Sequence, residues 1–550
     1  IARSHLMIEQ AQAKYLLIVG EQSETALVKD SCLQVIHIDA QTAITNAPKT
    51  ACGLPTITPD DHAYIFFTSG STGTPKGVLG THKGISHFLQ WQRQTFTINT
   101  QDRVAQLTSL TFDAILRDVF LPLTSGATLC LPDSDSDLSA DRVLSWLERE
   151  QITLMHTVPT LFQSWLTQVQ EKIYLPSLRF IFFSGEPLTG TLVRQWRETF
   201  SSPGEIINLY GATETTMVKC FYRVPQDADF GVMPGGWPLP QTQVLILNST
   251  NQLCGIREIG EIVICTPFRT LGYINAPDEQ QQRFAPNPLG NDPQDLCYYT
   301  GDKGRYRYDG AIEVLGRKDD QIKIRGIRVQ PGEIEAVLNQ HSAVAESVVI
   351  TTGETPEDKR LVAYVIAKPN QTLTTRDLHH FLKQQLPEYL IPSAFVLLDA
   401  FPLTPSGKVD RRALPAPSLS IATRTYLPPR NPTEEAIVSI FTSVLKLEQI
   451  SIDDHFFELG GHSLLATQVV SRLREVFKVN LPLRTLFTSP TPAELAIAID
   501  KIKVTSNAEI DTSKITKINR ERRRVKVSSP DEFTLPDAVK QEILKPEIKH

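Results

Sequence analysis

The chain has 550 residues, 41% hydrophobic and 21% charged, with 29 glycines and 37 prolines. At about 100–200 residues per domain this predicts roughly three to five folding units, and the balance excludes collagen-like and low-complexity classes. The net charge is −6 and no region as large as a domain is strongly basic, which excludes a wrapped nucleic-acid surface.

No apolar run reaches the roughly 18 residues that a membrane helix needs. The start, Ile1-Ala2-Arg3-Ser4-His5, lacks the zones of a signal peptide. Seven scattered cysteines with no C-x-x-C pair predict reduced thiols. These features fit a cytoplasmic protein.

In chain order, residues 1–315 alternate short β-rich apolar runs (63–68, 127–131, 178–184, 244–247) with helical stretches (141–149, 190–199). Such alternation predicts α/β layers. Residues 316–414 predict a smaller α+β unit, with strands at 344–350 and 361–366 and helices at 332–340 and 375–386. Residues 415–432 are Pro-rich, and proline resists packing into elements, so a stiff linker is expected. Residues 433–502 predict a helical bundle. Its apolar faces are Ile437, Ile440, Phe441, Val444 and Leu445; then Leu465, Val469, Leu473 and Val476; then Leu495, Ile499 and Ile502. Residues 503–550 are polar, with a basic cluster at 520–526, and read as a linker or a docking tail.

Two strings carry chemistry. Thr68-Ser69-Gly70-Ser71-Thr72-Gly73-Thr74-Pro75-Lys76-Gly77 follows a predicted strand. Its glycines let backbone N–H groups approach an anion, its hydroxyls add donors, and Lys76 adds charge, which suits polyphosphate. It is not the Walker pattern, and a Gly/Ser-rich turn alone is more often a plain loop. Asp454-His455-Phe456-Phe457-Glu458-Leu459-Gly460-Gly461-His462-Ser463-Leu464 puts Ser463 at the start of an amphipathic helix. Taken alone, a serine there is a helix cap.

Taken in order, these strings resemble a known family. The Thr68–Gly77 loop, Asn208-Leu209-Tyr210-Gly211-Ala212-Thr213-Glu214-Thr215, Tyr299-Thr300-Gly301-Asp302, the stretch from Gly316 through Arg317 and Asp319 to Glu335, and Pro402-Leu403-Thr404-Pro405-Ser406-Gly407-Lys408 are similar to the motifs of amino-acid adenylation domains of nonribosomal peptide synthetases. The resemblance spans about 16–414. Ala212 stands where many such domains have proline, and only 67 residues precede the loop, so the chain is expected to begin inside the domain. The second string resembles the core of peptidyl carrier proteins.

The resemblance implies a multidomain α/β protein: a layered core subdomain at 1–315, a mobile C-terminal subdomain at 316–414, and a four-helix-bundle carrier at 433–502. It implies ATP bound by Thr68, Ser69, Gly70, Ser71, Thr72, Gly73 and Lys76 at the phosphates. Tyr210 and Asn208 would lie at the adenine, Gly211 beside it, Thr213 at the α-phosphate, and Asp302 and Arg317 at the ribose. Glu214 would hold Mg²⁺. Lys408 would bridge the substrate carboxylate and the α-phosphate, and Asp319 would be the hinge about which the Lys323–Gly326 stretch replaces it. Ser463 would carry 4′-phosphopantetheine, attached by a phosphopantetheinyl transferase, among neighbouring synthetase domains.

The implied substrate pocket is Asp113 (facing the α-ammonium), Ala114, Arg117, His156, Phe182, Ser184, Leu209, Met217 and Val218, closed by Lys408. A buried Arg117 wants an anionic partner, so an acidic, aspartate-like amino acid is expected, with His156 as a second donor. Alternatively, Arg117 pairs with Asp118 or points to solvent. Other functional readings are an acyl- or aryl-CoA ligase of the same superfamily, an inactive adenylation remnant serving as carrier and dock, and an unrelated helical scaffold at 431–502.

Overall fold

The computed structural model describes residues 2–19, 33–38, 55–69, 75–132, 139–169, 172–201, 204–228, 231–318, 322–324, 327–353, 359–369, 371, 373–402, 409–411, 413–416, 426–457, 459–461 and 463–509. Helix α1 (Ala2–Gln10) leads into a parallel pair, β1 (Tyr15–Val19) and β2 (Gln34–Ile38). An antiparallel pair, β3 (His62–Thr68) and β4 (Lys76–Thr81), flanks the glycine-rich loop, and α2 (His82–Thr95) follows directly.

A seven-stranded sheet is the centre of the next region. It comprises β5 (Arg103–Ala105), β6 (Thr128–Cys130), β7 (Leu154–Thr157), β8 (Phe180–Phe183), β9 (Glu205–Tyr210), β10 (Cys220–Arg223) and β11 (Trp237–Pro238), in the order β11-β10-β9-β8-β7-β5-β6. Strands β5 to β9 pair in parallel, and β10 and β11 are antiparallel additions. Helices α3 (Ile115–Ser125), α4 (Ala140–Arg149), α5 (Pro159–Leu166) and α6 (Gly190–Thr199) make the connections. Gly126 ends α3 in the left-handed conformation, φ 68°, which glycine adopts without a Cβ penalty.

Strand β8 explains why its sequence is apolar without alternation. Ile181 and Phe183 enter one core with Phe162, Trp165 and Trp196. Phe180 and Phe182 enter the opposite core with Phe88, Trp91 and Phe96. A parallel strand covered on both faces reads as a continuous apolar run. Each fully buried phenylalanine contributes about 1.5–3 kcal/mol.

Beyond it, β12 (Gln243–Leu247), β13 (Gly260–Cys265), β15 (Phe284–Pro286), β16 (Leu296–Tyr306) and β17 (Ile312–Arg317) form a five-stranded antiparallel sheet. Strand β14 (Gly272–Ile274) adds to β4, and α7 (Pro277–Arg283) follows it. Here the structure corrects the expectation of reduced thiols throughout. Cys265 and Cys297 are register partners on β13 and β16, with Cα atoms 4.2 Å apart, and are joined in a disulfide. Cross-strand pairing brings together cysteines 32 positions apart, which no local spacing signals. Cys130, Cys220 and Cys254 are free and buried.

A hairpin, β18 (Ile322–Ile324) and β19 (Ile327–Val329), opens the α+β region. Helix α8 (Pro331–Leu338), β20 (Val344–Thr352), β21 (Arg360–Ala367), α9 (Thr375–Gln385) and β22 (Ala394–Leu397) complete it, with Val349, Ala363, Leu378 and Leu382 in its core. The carrier region is four helices: α10 (Pro432–Leu445), α11 (Ser463–Phe477), α12 (Leu483–Thr488) and α13 (Pro492–Glu509). Within α11 the buried set is Ala466, Val469, Val470 and Leu473, spaced i, i+3, i+4, i+7, whereas the expected Val476 is 55% exposed in the last turn. Arg142 on α4 donates to Asn480 Oδ1 at 2.6 Å. The described residues up to Ile499 form one compact unit, and those from Asp500 belong to another. Residues 503–509 are helical, and the rest of the expected tail lies outside the described residues. Among the described residues no helix is long and apolar enough to cross a membrane.

Candidate active site

A cleft of about 1320 Å³ opens at the carboxyl ends of β7, β8 and β9, the usual place for a ligand in a parallel sheet. Strands β16 and β17 and the β18–β19 hairpin form other walls, through Asp302, Arg317, Lys323 and Arg328.

One end is held by strand-borne groups. Tyr210 ends β9 and donates its hydroxyl to Asp302 Oδ2 at 2.7 Å. Arg317 Nη1 donates to Asp302 Oδ1 at 2.8 Å and to the Thr300 carbonyl at 3.0 Å. Asp302 and Arg317 are register partners on β16 and β17, so the sheet fixes their spacing. Burial raises the Tyr210 phenol well above its usual value, and Asp302 reinforces this. Asn208 Nδ2 donates to the Pro234 carbonyl at 2.8 Å, while its buried Oδ1 has no partner. Gly211 is required: a Cβ there would meet the Met217 carbonyl at 2.1 Å. The chain between them folds back through Thr216 and Met217, both with positive φ (63° and 62°), a strained arrangement of the kind found at binding sites.

The expected phosphate loop is only partly described. Thr68 ends β3, and Ser69 donates its hydroxyl to the Arg328 carbonyl at 2.9 Å; both line the cleft. Gly70, Ser71, Thr72 and Gly73 lie outside the described residues. Lys76 does not line the cleft. Its Nζ sits 2.8 Å from Glu279 Oε1, because β4 leads toward α7.

Glu214 is fully buried. Its Oε1 accepts from Tyr273 at 2.5 Å and from Arg328. Burial alone would raise this carboxyl, but the Arg328 charge and the Tyr273 hydroxyl outweigh burial and hold it at about 2. Glu214 Oε2 has no partner. Mg²⁺ is commonly taken through one or two carboxylates plus substrate phosphates, so one orphaned oxygen fits a cation that arrives with its nucleotide. Among the described residues no group of three His, Cys, Asp or Glu could hold a metal unaided.

The other end is held by helix-borne groups. Asp113 immediately precedes α3, and Ala114 is the residue at its cap. Burial raises the Asp113 carboxyl, opposed by a hydrogen bond from Thr213 and by the Arg117 charge. In the first turn of α3, Arg117 is 3% exposed and Asp118 fully buried. Arg117 Nε lies 3.4 Å from Asp118 Oδ1, and its Nη1 donates to Ser184 Oγ at 3.1 Å. This overturns the premise that Arg117 stays unpaired without an acidic ligand: the Asp118 alternative holds, although Arg117 also faces the cleft.

His156 lines the cleft; its Nε2 accepts from Gln92 Nε2 at 2.8 Å, and its Nδ1 lies 3.2 Å from Asp118 Oδ1 without a hydrogen bond. Burial first, then Arg117, pushes it down to about 4, so the ring is neutral. Phe182 does not line the cleft; it stacks behind His156 with centroids 4.8 Å apart. Ser184, Leu209, Met217, Val218 and Thr213 do line it. Gln92, Tyr273 and Arg328 are neighbouring residues that motif reading missed, because they are far away in the chain, whereas Asp118 was named as the alternative partner of Arg117.

Lys408 and Asp319 lie outside the described residues. Ser463 is the first residue of α11, after Gly460 (φ 91°) and Gly461, and its side chain lies outside the described residues. At Gly461 a Cβ would meet the Phe456 ring at 2.4 Å, so glycine brings the turn against the bundle.

The chain matches three family models: AMP-binding enzyme at residues 2–274, AMP-binding enzyme C-terminal domain at 333–408, and phosphopantetheine attachment site at 435–499. It is 39% identical over 495 residues to tyrocidine synthase 3 of Brevibacillus parabrevis, covering 90% of this chain and 7% of that protein. It is 40% identical over 441 residues to a dimodular nonribosomal peptide synthase of Bacillus subtilis strain 168, covering 80% and 18%. The chain thus spans less than a fifth of these relatives. Among solved structures it resembles holo-PA1221, a nonribosomal peptide synthetase protein containing adenylation and carrier domains, bound to a vinylsulfonamide inhibitor. The TM-score is 0.74 and the identity 25%, covering 91% of this chain and 82% of that one.

Proposed function

Because this chain belongs to the AMP-binding enzymes and carries a phosphopantetheine attachment domain, the combination found in nonribosomal peptide synthetase modules, we propose that it activates an amino acid with ATP and loads it onto its own carrier region. One observation carries this reading. A single cleft holds a half-buried carboxylate, Asp113, at one end and the Tyr210–Asp302–Arg317 cluster at the other.

Asp113 takes the substrate ammonium, a carboxylate facing a cation. The substrate carboxylate oxygen attacks the α-phosphorus of ATP, the bond to the β-phosphate oxygen breaks, and pyrophosphate leaves. Tyr210, Asp302 and Arg317 hold the nucleoside, with Asp302 accepting from ribose hydroxyls. Thr213 donates to the α-phosphate, and Lys408 stabilises its developing charge. Glu214 would hold Mg²⁺, which when bound neutralises triphosphate charge. Ser463 would hold phosphopantetheine, which when bound supplies the thiol that accepts the aminoacyl group as AMP leaves. Lys323 and Arg328 line the cleft, which supports a C-terminal region that presents its hairpin for the second step and Lys408 for the first. A rigid-body switch of this kind is a known repertoire.

For the substrate we propose an acidic amino acid, aspartate first and glutamate second. Arg117 faces the cleft with only Asp118 and Ser184 as hydrogen-bonding partners among the described residues, so an Nη edge remains for a side-chain carboxylate. A planar guanidinium suits a carboxylate bidentately. The surrounding wall (Ala114, Leu209, Met217, Val218) is apolar. The test is ATP–pyrophosphate exchange with each proteinogenic amino acid. Exchange dependent on aspartate or glutamate is expected. Strong exchange with leucine or phenylalanine and none with either acid would reject the substrate, and no exchange with any amino acid would reject activation itself.

A further inference from the structure

Asp118 does not line the cleft, yet three of its neighbours meet there or just behind it. Its Oδ1 contacts Arg117 Nε at 3.4 Å and His156 Nδ1 at 3.2 Å, and its Oδ2 accepts from the Thr108 backbone N–H at 3.2 Å. The carboxylate is therefore fixed on three sides, at the helix N-terminus where a negative charge is stabilised. Gln92, fully buried on α2, contacts His156 Nε2 through its amide nitrogen at 2.8 Å, which fixes the ring with Nδ1 toward Asp118. The ring cannot turn without breaking its stack on Phe182.

The charges add up simply. With His156 neutral, Arg117 contributes one positive charge and Asp118 one negative, and Asp113 is opposite the substrate ammonium. An anionic side chain must then share one guanidinium with Asp118, whereas a neutral side chain meets a pair that is already balanced. The same contact holds the guanidinium by its Nε edge and so leaves an Nη edge toward Ser184 and the cleft. Asp118 thus orients Arg117 and also weakens its pull on an anion.

We propose that Asp118 sets the selectivity of the pocket between a carboxylate side chain and its neutral amide counterpart, acting through Arg117 as a positioning residue. The inference rests on reading the cleft as an amino-acid pocket, and not on which amino acid is preferred. It predicts that removing the charge while keeping the shape shifts the pocket toward anions.

The experiment uses the full chain and Asp118→Asn. Two quantities are compared for aspartate and asparagine: kcat/KM in pyrophosphate exchange, and Kd for aspartyl- and asparaginyl-sulfamoyladenosine, unreactive mimics of the adenylates. The aspartate-to-asparagine ratio should rise roughly tenfold or more in both, as expected when a like charge is removed beside a shared cation in a buried site. A purely structural role would weaken both ligands equally; an unchanged or lowered ratio overturns the inference. If the unmodified chain prefers a neutral amino acid and the variant gains aspartate, the acidic substrate reading fails and the inference stands. If no exchange occurs, the binding ratio decides. Should the asparagine variant not fold, Asp118→Ser removes the same charge with a smaller side chain; loss of folded protein in both would assign Asp118 to stability alone and overturn the inference.

Discussion

The cleft and the carrier bundle treat buried polarity differently. In the bundle the interior is Ile437, Phe441, Phe456, Val469 and Leu473, and the buried Glu434 is paired with Arg430 at 2.6 Å. Around the cleft Gln92, Asp118, His156, Glu214 and Lys219 are all fully buried. On the proposed function the bundle has only to present one serine at a helix start, so its core is free to be apolar. The cleft has to recognise ligands, and the pairing of its buried charges is where discrimination arises, at the cost of desolvating each one.

Five substitutions sharpen that contrast. The largest effect is expected for Ser463→Ala, which should abolish the mass increase of phosphopantetheine attachment and all thioester loading while pyrophosphate exchange continues. Arm attachment persisting in that variant would break the separation between the two regions.

Arg117→Ala should abolish aspartate exchange and also destabilise the fold by about 3–5 kcal/mol, because Asp118 stays buried without its cation. Adding Asp118→Asn should restore the denaturation midpoint but not aspartate exchange. A single variant of unchanged stability would show that Asp118 does not depend on Arg117.

At the nucleotide end, Asp302→Ala removes two charge-assisted hydrogen bonds, from Tyr210 and Arg317. At about 1.5 kcal/mol each, this lowers exchange kcat/KM by roughly a hundredfold for every amino acid alike. A loss that depends on the amino acid would contradict the division of the cleft into two ends.

The smallest effect concerns stability alone. Lys219 is fully buried and its ammonium has no hydrogen-bond partner among the described residues. Burial lowers its pKa from 10.5 to about 7. Between those values the unfolded chain binds a proton that the folded chain does not, so this group makes stability rise with pH from about 7 to 10.5. Lys219→Met should flatten that part of the profile in denaturant unfolding across the range; an unaltered slope would mean the ammonium is solvated. His156, neutral when folded down to about 4, acts in the same sense at lower pH, with stability falling as pH drops from about 6.5 toward 4.

The two regions also differ in how far they can be read from sequence. The helix start at Ser463 was legible because its turn, its glycines and its helix are contiguous, and the α10 and α13 faces follow from spacing alone. In the cleft, residue types in motifs located Asp113, Tyr210, Asp302 and Arg317. Their partners were not legible: Gln92 comes from α2, Tyr273 from β14 and Arg328 from β19, each brought in by sheet pairing or helix packing. Arg117 shows the limit most clearly. Sequence left open whether it was buried or pointed to solvent, and whether its charge was already balanced depended on the rotation of the first turn of α3 and on the strand carrying His156.

Local spacing and residue type by themselves determined the α/β layers and the helical bundle, and the ordered motifs carried the resemblance to a family, because periodicity and motifs are properties of neighbours in sequence. The tertiary structure alone decided the Cys265–Cys297 pairing, the placement of His156 between Gln92 and Asp118 and the sharing of Arg117, because each requires two or more segments to arrive within contact or bonding distance.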